Sequence, residues 1–161
     1  LGDVYKRQVL FRQKRYGYNN RLIWVFKFRS MYTERTDANA ERQTTRDDDR
    51  ITRVGRFIRK TSIDELPQLF NVLAGEMSLV GPRPLLKSEI QQYYADSADV
   101  LLSVKPGVTG YWQAYARNNA TYQSGHRQQM EMTYIRQASI WLDCKILMKT
   151  VVAVLRRDGA K

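Results

Sequence analysis

The chain has 161 residues, enough for one domain with a buried core. Its 27 Lys and Arg against 16 Asp and Glu leave a net charge of +11, and the excess is uneven: residues 1–60 hold 16 cations and 7 anions, residues 61–161 hold 11 and 9. The balance asks for an anionic partner, whether nucleic acid, anionic lipid or phosphorylated substrate; the single Cys144 excludes an intrachain disulfide, and no apolar run approaches the roughly 18 residues a bilayer span needs.

The opening Leu1-Gly2-Asp3-Val4-Tyr5-Lys6-Arg7-Gln8 fits poorly with the residues after it. Residues 1–8 are expected to be a non-native leader, and 9–161 the functional domain. Val9 to Arg15 begins with apolar and polar residues in alternation. Tyr16-Gly17-Tyr18-Asn19-Asn20 is a turn cluster, and Leu22 to Phe28 is rich in β-branched and aromatic residues. Together they predict a β-hairpin. Thr33 to Arg50 is polar and reads as a loop or solvated helix. Its Asp47-Asp48-Asp49 is expected to be a solvated acidic turn, because no calcium-loop spacing of glycine and acids surrounds it.

From Arg50 to Lys60, Ile51, Val54, Phe57 and Ile58 share one helical face among Arg53, Arg56, Arg59 and Lys60. Such a helix either lies on a membrane surface or packs on the core and displays its arginines. Leu66, Leu69, Phe70 and Leu73 have the spacing of an amphipathic helix that stops at Gly75. Gly81-Pro82-Arg83-Pro84 forces an extended turn, since two prolines bar helix on either side of Arg83. A helix is predicted over 86–94, then a Pro/Gly loop at Lys105-Pro106-Gly107-Val108-Thr109-Gly110, then helices over 127–138 and 139–157. The last carries a broad stripe of Ile140, Trp141, Cys144, Leu147, Met148, Val151 and Leu155 and is expected to be a core helix, with membrane contact as the second reading. The lone His126 has no cysteine near it for a zinc site and is expected to be exposed.

The chemistry-bearing segment is Arg59-Lys60-Thr61-Ser62-Ile63-Asp64-Glu65-Leu66-Pro67-Gln68. One reading is a helix start alone: Ser62-x-x-Glu65 has the form of a capping box, and acids suit a first turn. Pro67 sits awkwardly at the fifth position of such a helix but freely if Asp64 is the cap, which leaves the Glu65 carboxylate spare. The functional reading uses the same residues. A helix start and nearby arginines bind phosphate, one carboxylate attacks phosphorus, and the other holds a divalent cation.

The stretch from Arg50 through Asp64-Glu65-Leu66-Pro67-Gln68 to Leu73, followed by Gly75-Glu76-Met77-Ser78-Leu79-Val80-Gly81-Pro82-Arg83-Pro84, closely resembles the bacterial sugar transferase family, the monotopic polyprenyl-phosphate phosphoglycosyl transferases. Phe11 to Arg15, Phe26 to Met31, Lys105 to Gln113 and Ser139 to Asp143 are similar to further family blocks, in family order. The resemblance runs from Val9 to the C-terminus. It implies an α+β catalytic domain, mostly helical with an N-terminal β-hairpin. It also implies transfer of a sugar phosphate from a UDP-sugar to polyprenyl (undecaprenyl) phosphate at the cytoplasmic face of the bacterial inner membrane, an early step of exopolysaccharide, O-antigen or capsule assembly. By the same likeness Asp64 is the nucleophile and Glu65 the Mg2+ ligand. Arg59 and Arg83 contact phosphate, with Lys27 and Arg29 beside them, and Gln113 and Arg117 lie near the nucleotide. Glu131 stands where the family usually has Asp. The family's hydrophobic N-terminal segment, which dips into the cytoplasmic leaflet, is expected to be missing before Val9. A nucleic-acid module and a non-catalytic membrane scaffold are the rival readings. No nucleic acid partner is expected, because no helix-turn-helix, zinc-finger or RNP-like pattern appears.

Overall fold

A computed structural model describes residues 8–32, 48–116 and 124–155. Residues 1–7 of the expected leader, the polar segment 33–47 and Arg117 lie outside the described residues. The fold is α+β. Strands β1 (Leu10–Tyr16) and β2 (Leu22–Phe28) form the predicted antiparallel hairpin, with Leu10 opposite Phe28 and Tyr16 opposite Leu22. Asn19 and Asn20 turn the chain with positive φ, a conformation asparagine tolerates better than most residues.

Helix α1 (Arg53–Lys60) is started by Thr52, whose side chain accepts from the Gly55 N–H at 2.8 Å. It is docked to the end of the hairpin. Thr52 N–H donates to the Ser30 carbonyl at 3.0 Å, and Ile51 bridges Met31. Gly55 allows the close approach, since a Cβ there would fall on the Ser30 carbonyl. Helix α2 (Gln68–Leu73) follows, then β3 (Ser78–Val80), α3 (Lys87–Tyr93), α4 (Ala98–Leu102), β4 (Gly107–Thr109), α5 (Tyr111–Tyr115), α6 (His126–Gln137) and α7 (Ile140–Leu155). The segment 105–110, expected as a loop, contributes β4, which pairs in parallel with β3. Gly81 and Gly107 permit this, because a Cβ on either would meet the other's backbone.

Three small clusters make the core. Ile23, Val25 and Met77 join the hairpin to the segment after α2. Val80, Tyr134 and Ile146 join β3 to α6 and α7, and Leu85, Tyr94 and Leu101 fill the space under α3 and α4.

Two expectations are corrected, and the structure sets which face of α2 turns inward. The Leu66, Leu69, Phe70 and Leu73 stripe faces outward, with Leu73 84% exposed, while Gln68 and Asn71 are the buried side of α2. Asn71 holds its inner position because it has backbone partners there. Asn71 accepts from the Phe26 N–H at 3.2 Å and donates to the Trp24 carbonyl and to Glu76, both at 2.7 Å. The α7 stripe is likewise largely uncovered: Ile140, Trp141, Cys144, Met148, Val151 and Leu155 are exposed and Leu147 is half-buried, while the one buried residue of α7, Ile146, is not a member of it. Asp48 is buried rather than solvated, because the Arg50 guanidinium clasps both its oxygens, the shorter contact being 2.6 Å. His126 is exposed, as expected.

Candidate active site

Asp64 and Glu65 do not open a long helix. After α1 the chain reverses through Ser62, which has a left-handed backbone at φ 56°, and a single 3-10 turn spans Ile63–Glu65. Ser62 makes no side-chain cap, so the capping-box reading fails, and Pro67 serves as the cap of α2 instead of Asp64. A serine in this conformation costs about 1 kcal/mol or more, and such strain tends to cluster at functional sites. The reversal turns Asp64 inward, where it is buried, and leaves Glu65 partly covered.

Cations from three separate elements converge on the pair. Lys27, on β2, donates to Glu65 Oε1 at 2.7 Å. Arg59, on the last turn of α1, donates to Ser30 Oγ at 3.4 Å and stands near Asp64. Arg83, from the Pro-Arg-Pro turn, is close enough to repel both Lys27 and Arg59. Three cations thus share the region with two carboxylates, and Asp48 and Glu131 add attraction for Arg59 and Arg83. Neighbouring arginines are neutralised by their own acids, Arg15 by Glu89 at 2.8 Å and Arg50 by Asp48.

The electrostatics are mutual. Burial, and then the Glu65 charge, push the Asp64 carboxyl above the usual carboxylate range, while Lys27 and Arg59 pull it down. Burial lowers Lys27, helped by Arg83 and opposed by Glu65 and Asp64. A bound anion would raise Lys27 back toward its ordinary value.

Beside the pair opens a small, partly open cavity. Lys27, Glu65 and Arg83 share its wall with Gln13, Gln68 and Gln113. The Gln113 Oε1 is buried with no hydrogen-bond partner, so a donor on a ligand would satisfy it. Of the residues named from sequence, the structure therefore groups Asp64, Glu65, Lys27, Arg59 and Arg83, with Gln113 on the same cavity. Arg29 is placed elsewhere: its Nε donates to the Gln8 carbonyl at 2.8 Å and its guanidinium lies over Phe11. Sequence spacing does not single out Gln13 or Gln68. The one signal for Gln68 is its place opposite the leucine stripe.

Among the described residues no three His, Cys, Asp or Glu side chains meet, so a closed protein cage for a metal is not available there. Mg2+ ordinarily takes one or two carboxylates and fills its shell with water and substrate phosphates. The adjacent Asp64 and Glu65 fit that pattern, and Glu65 would give up its Lys27 contact to hold such an ion.

A carboxylate pair, Asp64 buried and Glu65 partly covered, thus lies among three cations at the edge of the cavity. Comparison with known proteins gives the family. The sequence pattern of the bacterial sugar transferases matches residues 4–157, and the chain belongs to that family. It is 49% identical over 156 aligned residues to an undecaprenyl-phosphate glucose phosphotransferase of Komagataeibacter xylinus, an alignment covering 89% of this chain and 28% of the relative. Identity is 44% to an undecaprenyl-phosphate galactose phosphotransferase of Salmonella typhimurium (94% and 34% covered). It is 43% to a UDP-glucose:undecaprenyl-phosphate glucose-1-phosphate transferase of Escherichia coli (89% and 32% covered). The chain thus spans about a third of the length of these curated relatives.

Proposed function

We propose that this protein transfers a hexose 1-phosphate from a UDP-sugar to undecaprenyl phosphate through a covalent intermediate on Asp64. The observation that carries the reading is the convergence of Lys27, Arg59 and Arg83 on the buried Asp64 and the partly covered Glu65. An Asp64 oxygen attacks the β-phosphorus. The bond from phosphorus to the bridging oxygen breaks, and UMP leaves with that electron pair. An oxygen of undecaprenyl phosphate then attacks the same phosphorus, and the Asp64 carboxylate departs, giving undecaprenyl diphosphate-sugar.

Attack by an anion on a diphosphate is opposed by charge repulsion, and preorganised cations are the main remedy. Arg59 lies beside the nucleophile, and Lys27 and Arg83 reach the same space from the hairpin and the proline turn. A divalent ion held by Glu65 and the Asp64 side would supply further neutralisation of the diphosphate. The polar cavity with Gln13, Gln68 and Gln113 offers both donors and acceptors, which suits a hydroxyl-rich or nucleoside group. The substrates in the relatives' names divide between glucose and galactose, so both hexoses are candidate donors.

The exposed Val54, Phe57, Leu66, Leu69, Phe70 and Leu73, flanked by the exposed Arg53, Arg56 and Lys60, favour seating on an anionic leaflet with the site near its surface. No helix of the described residues is long and apolar enough to cross a membrane. That surface suits a lipid-bound acceptor on the cytoplasmic side.

The test is to trap full-length protein with UDP-glucose or UDP-galactose and Mg2+ and weigh it. A phospho-hexose adduct on the peptide bearing Asp64 is expected, with UMP released, and Asp64→Asn gives neither. UMP release by the variant equal to the parent's rules out the covalent route.

A further inference from the structure

Arg83 is the one residue of Pro82-Arg83-Pro84 with a backbone N–H, since proline has none. The turn is tied on three sides. The Gly107 N–H donates to the Pro82 carbonyl at 2.8 Å, and Arg15 Nη1 donates to the Pro84 carbonyl at 3.5 Å. The Arg83 N–H itself donates to Glu131 Oε1 on α6, at 3.4 Å.

Glu131 is 1% exposed. Its second oxygen accepts from the Tyr94 hydroxyl. One turn back on α6, Arg127 Nε stands 3.8 Å from Oε1, and its guanidinium lies 3.9 Å over the Trp112 ring. Burial raises the Glu131 carboxyl, while Arg127, the Tyr94 hydroxyl and the Arg83 N–H act against the rise. An apolar side chain would fill this space without the desolvation cost of a carboxylate. What the carboxylate adds is a grip on three segments: the end of α3, the proline turn and α6 itself. Only the proline turn carries a group that reaches the Lys27–Glu65 cavity.

We propose that Glu131 is a positioning residue that fixes the Arg83 backbone, and through it holds the Arg83 guanidinium at the cavity where the donor diphosphate reacts. The second half of this statement rests on the transferase reading above; the first does not.

Two measurements on the full-length protein separate them. The first is amide hydrogen exchange, in which Arg83 supplies the sole exchangeable amide of residues 82–84. In Glu131→Ala that amide should exchange roughly 10-fold faster or more, while Val80 and Thr109 keep their protection. In Glu131→Gln, whose Oε1 still accepts, it should stay near the parent. Equal Arg83 exchange in the parent and Glu131→Ala overturns the proposal. The second is UMP release. Glu131→Ala should lower kcat by about 10- to 100-fold with a smaller change in KM, as expected for a displaced charge. Glu131→Gln should restore most of the loss. In an Arg83→Ala background, Glu131→Ala should cost little more. A full multiplicative loss in that background overturns the positioning role. If Glu131→Ala does not fold, Glu131→Leu fills the volume and carries the same readings. A parent that releases no UMP defeats the transferase reading and leaves hydrogen exchange to judge Glu131.

Discussion

Replacing Asn71 by alanine should uncouple α2 from the hairpin. Asn71 is fully buried and binds the β2 backbone as a neighbouring strand would, accepting from the Phe26 N–H and donating to the Trp24 carbonyl. Alanine leaves both backbone groups without that partner, and a buried polar group left unsatisfied costs about 1–3 kcal/mol. Two such groups, with a small cavity term, give a loss of about 3–6 kcal/mol. With a urea m-value of about 2 kcal/mol per molar, the midpoint should fall by about 1.5–3 M. Asn71→Asp should fare little better. It keeps the acceptor for Phe26, loses the donor to Trp24, and sets a second carboxylate against Glu76. Because β2 also carries Lys27, loosening α2 should separate Lys27 from Glu65 and depress UMP release in parallel. A loss for Asn71→Ala under about 1 kcal/mol, at unchanged m, would refute the view that this amide clamps the site together.

Burial lifts the Asp64 carboxyl, so the folded chain holds that proton more tightly than the unfolded chain does, and the ionised group opposes folding above its folded-state pKa. Asp64→Asn, though inactive, should therefore melt about 2–4 °C higher at neutral pH, for about 1 kcal/mol, with the gap closing as pH falls through that pKa; a lower melting point at neutral pH contradicts it. Gly55→Ala should drive α1 off the Ser30 carbonyl and carry Arg59 with it, costing about 1–3 kcal/mol in denaturant titration along with a fall in UMP release. Phe70→Glu and Leu73→Glu, both on the exposed face of α2, should leave the melting point within the effect of about 0.5 kcal/mol but weaken sedimentation with anionic vesicles. Undiminished sedimentation would remove the leaflet from the account of that face.

The hairpin was legible in the sequence because it is a local structure: alternation and β-branched residues on two short runs, with asparagines at the turn, act between near neighbours. The Asp64–Glu65 pair and the arginine before it were legible for a similar reason, standing within seven residues of one another. The family blocks then supplied Lys27 and Arg83, which composition and spacing would not have joined to that pair. The parallel β3–β4 pair was not readable, since three-residue strands leave no periodicity and two glycines in close approach look like loop. Glu131 was doubtful from sequence. Its partners, the Arg83 N–H and the Tyr94 hydroxyl, lie 48 and 37 residues away.

The sequence by itself determined which residues share a face of each helix and which charges lie together along the chain. Tertiary structure alone decided which face turned inward. On α2 periodicity marked Leu66, Leu69, Phe70 and Leu73 as one side, yet the inner side is Gln68 and Asn71; β2 presents backbone N–H and C=O groups that the Asn71 amide satisfies and a leucine could not. A helical period fixes relative orientation within an element; the sign of burial depends on what the neighbouring element offers, and that partner is distant in sequence.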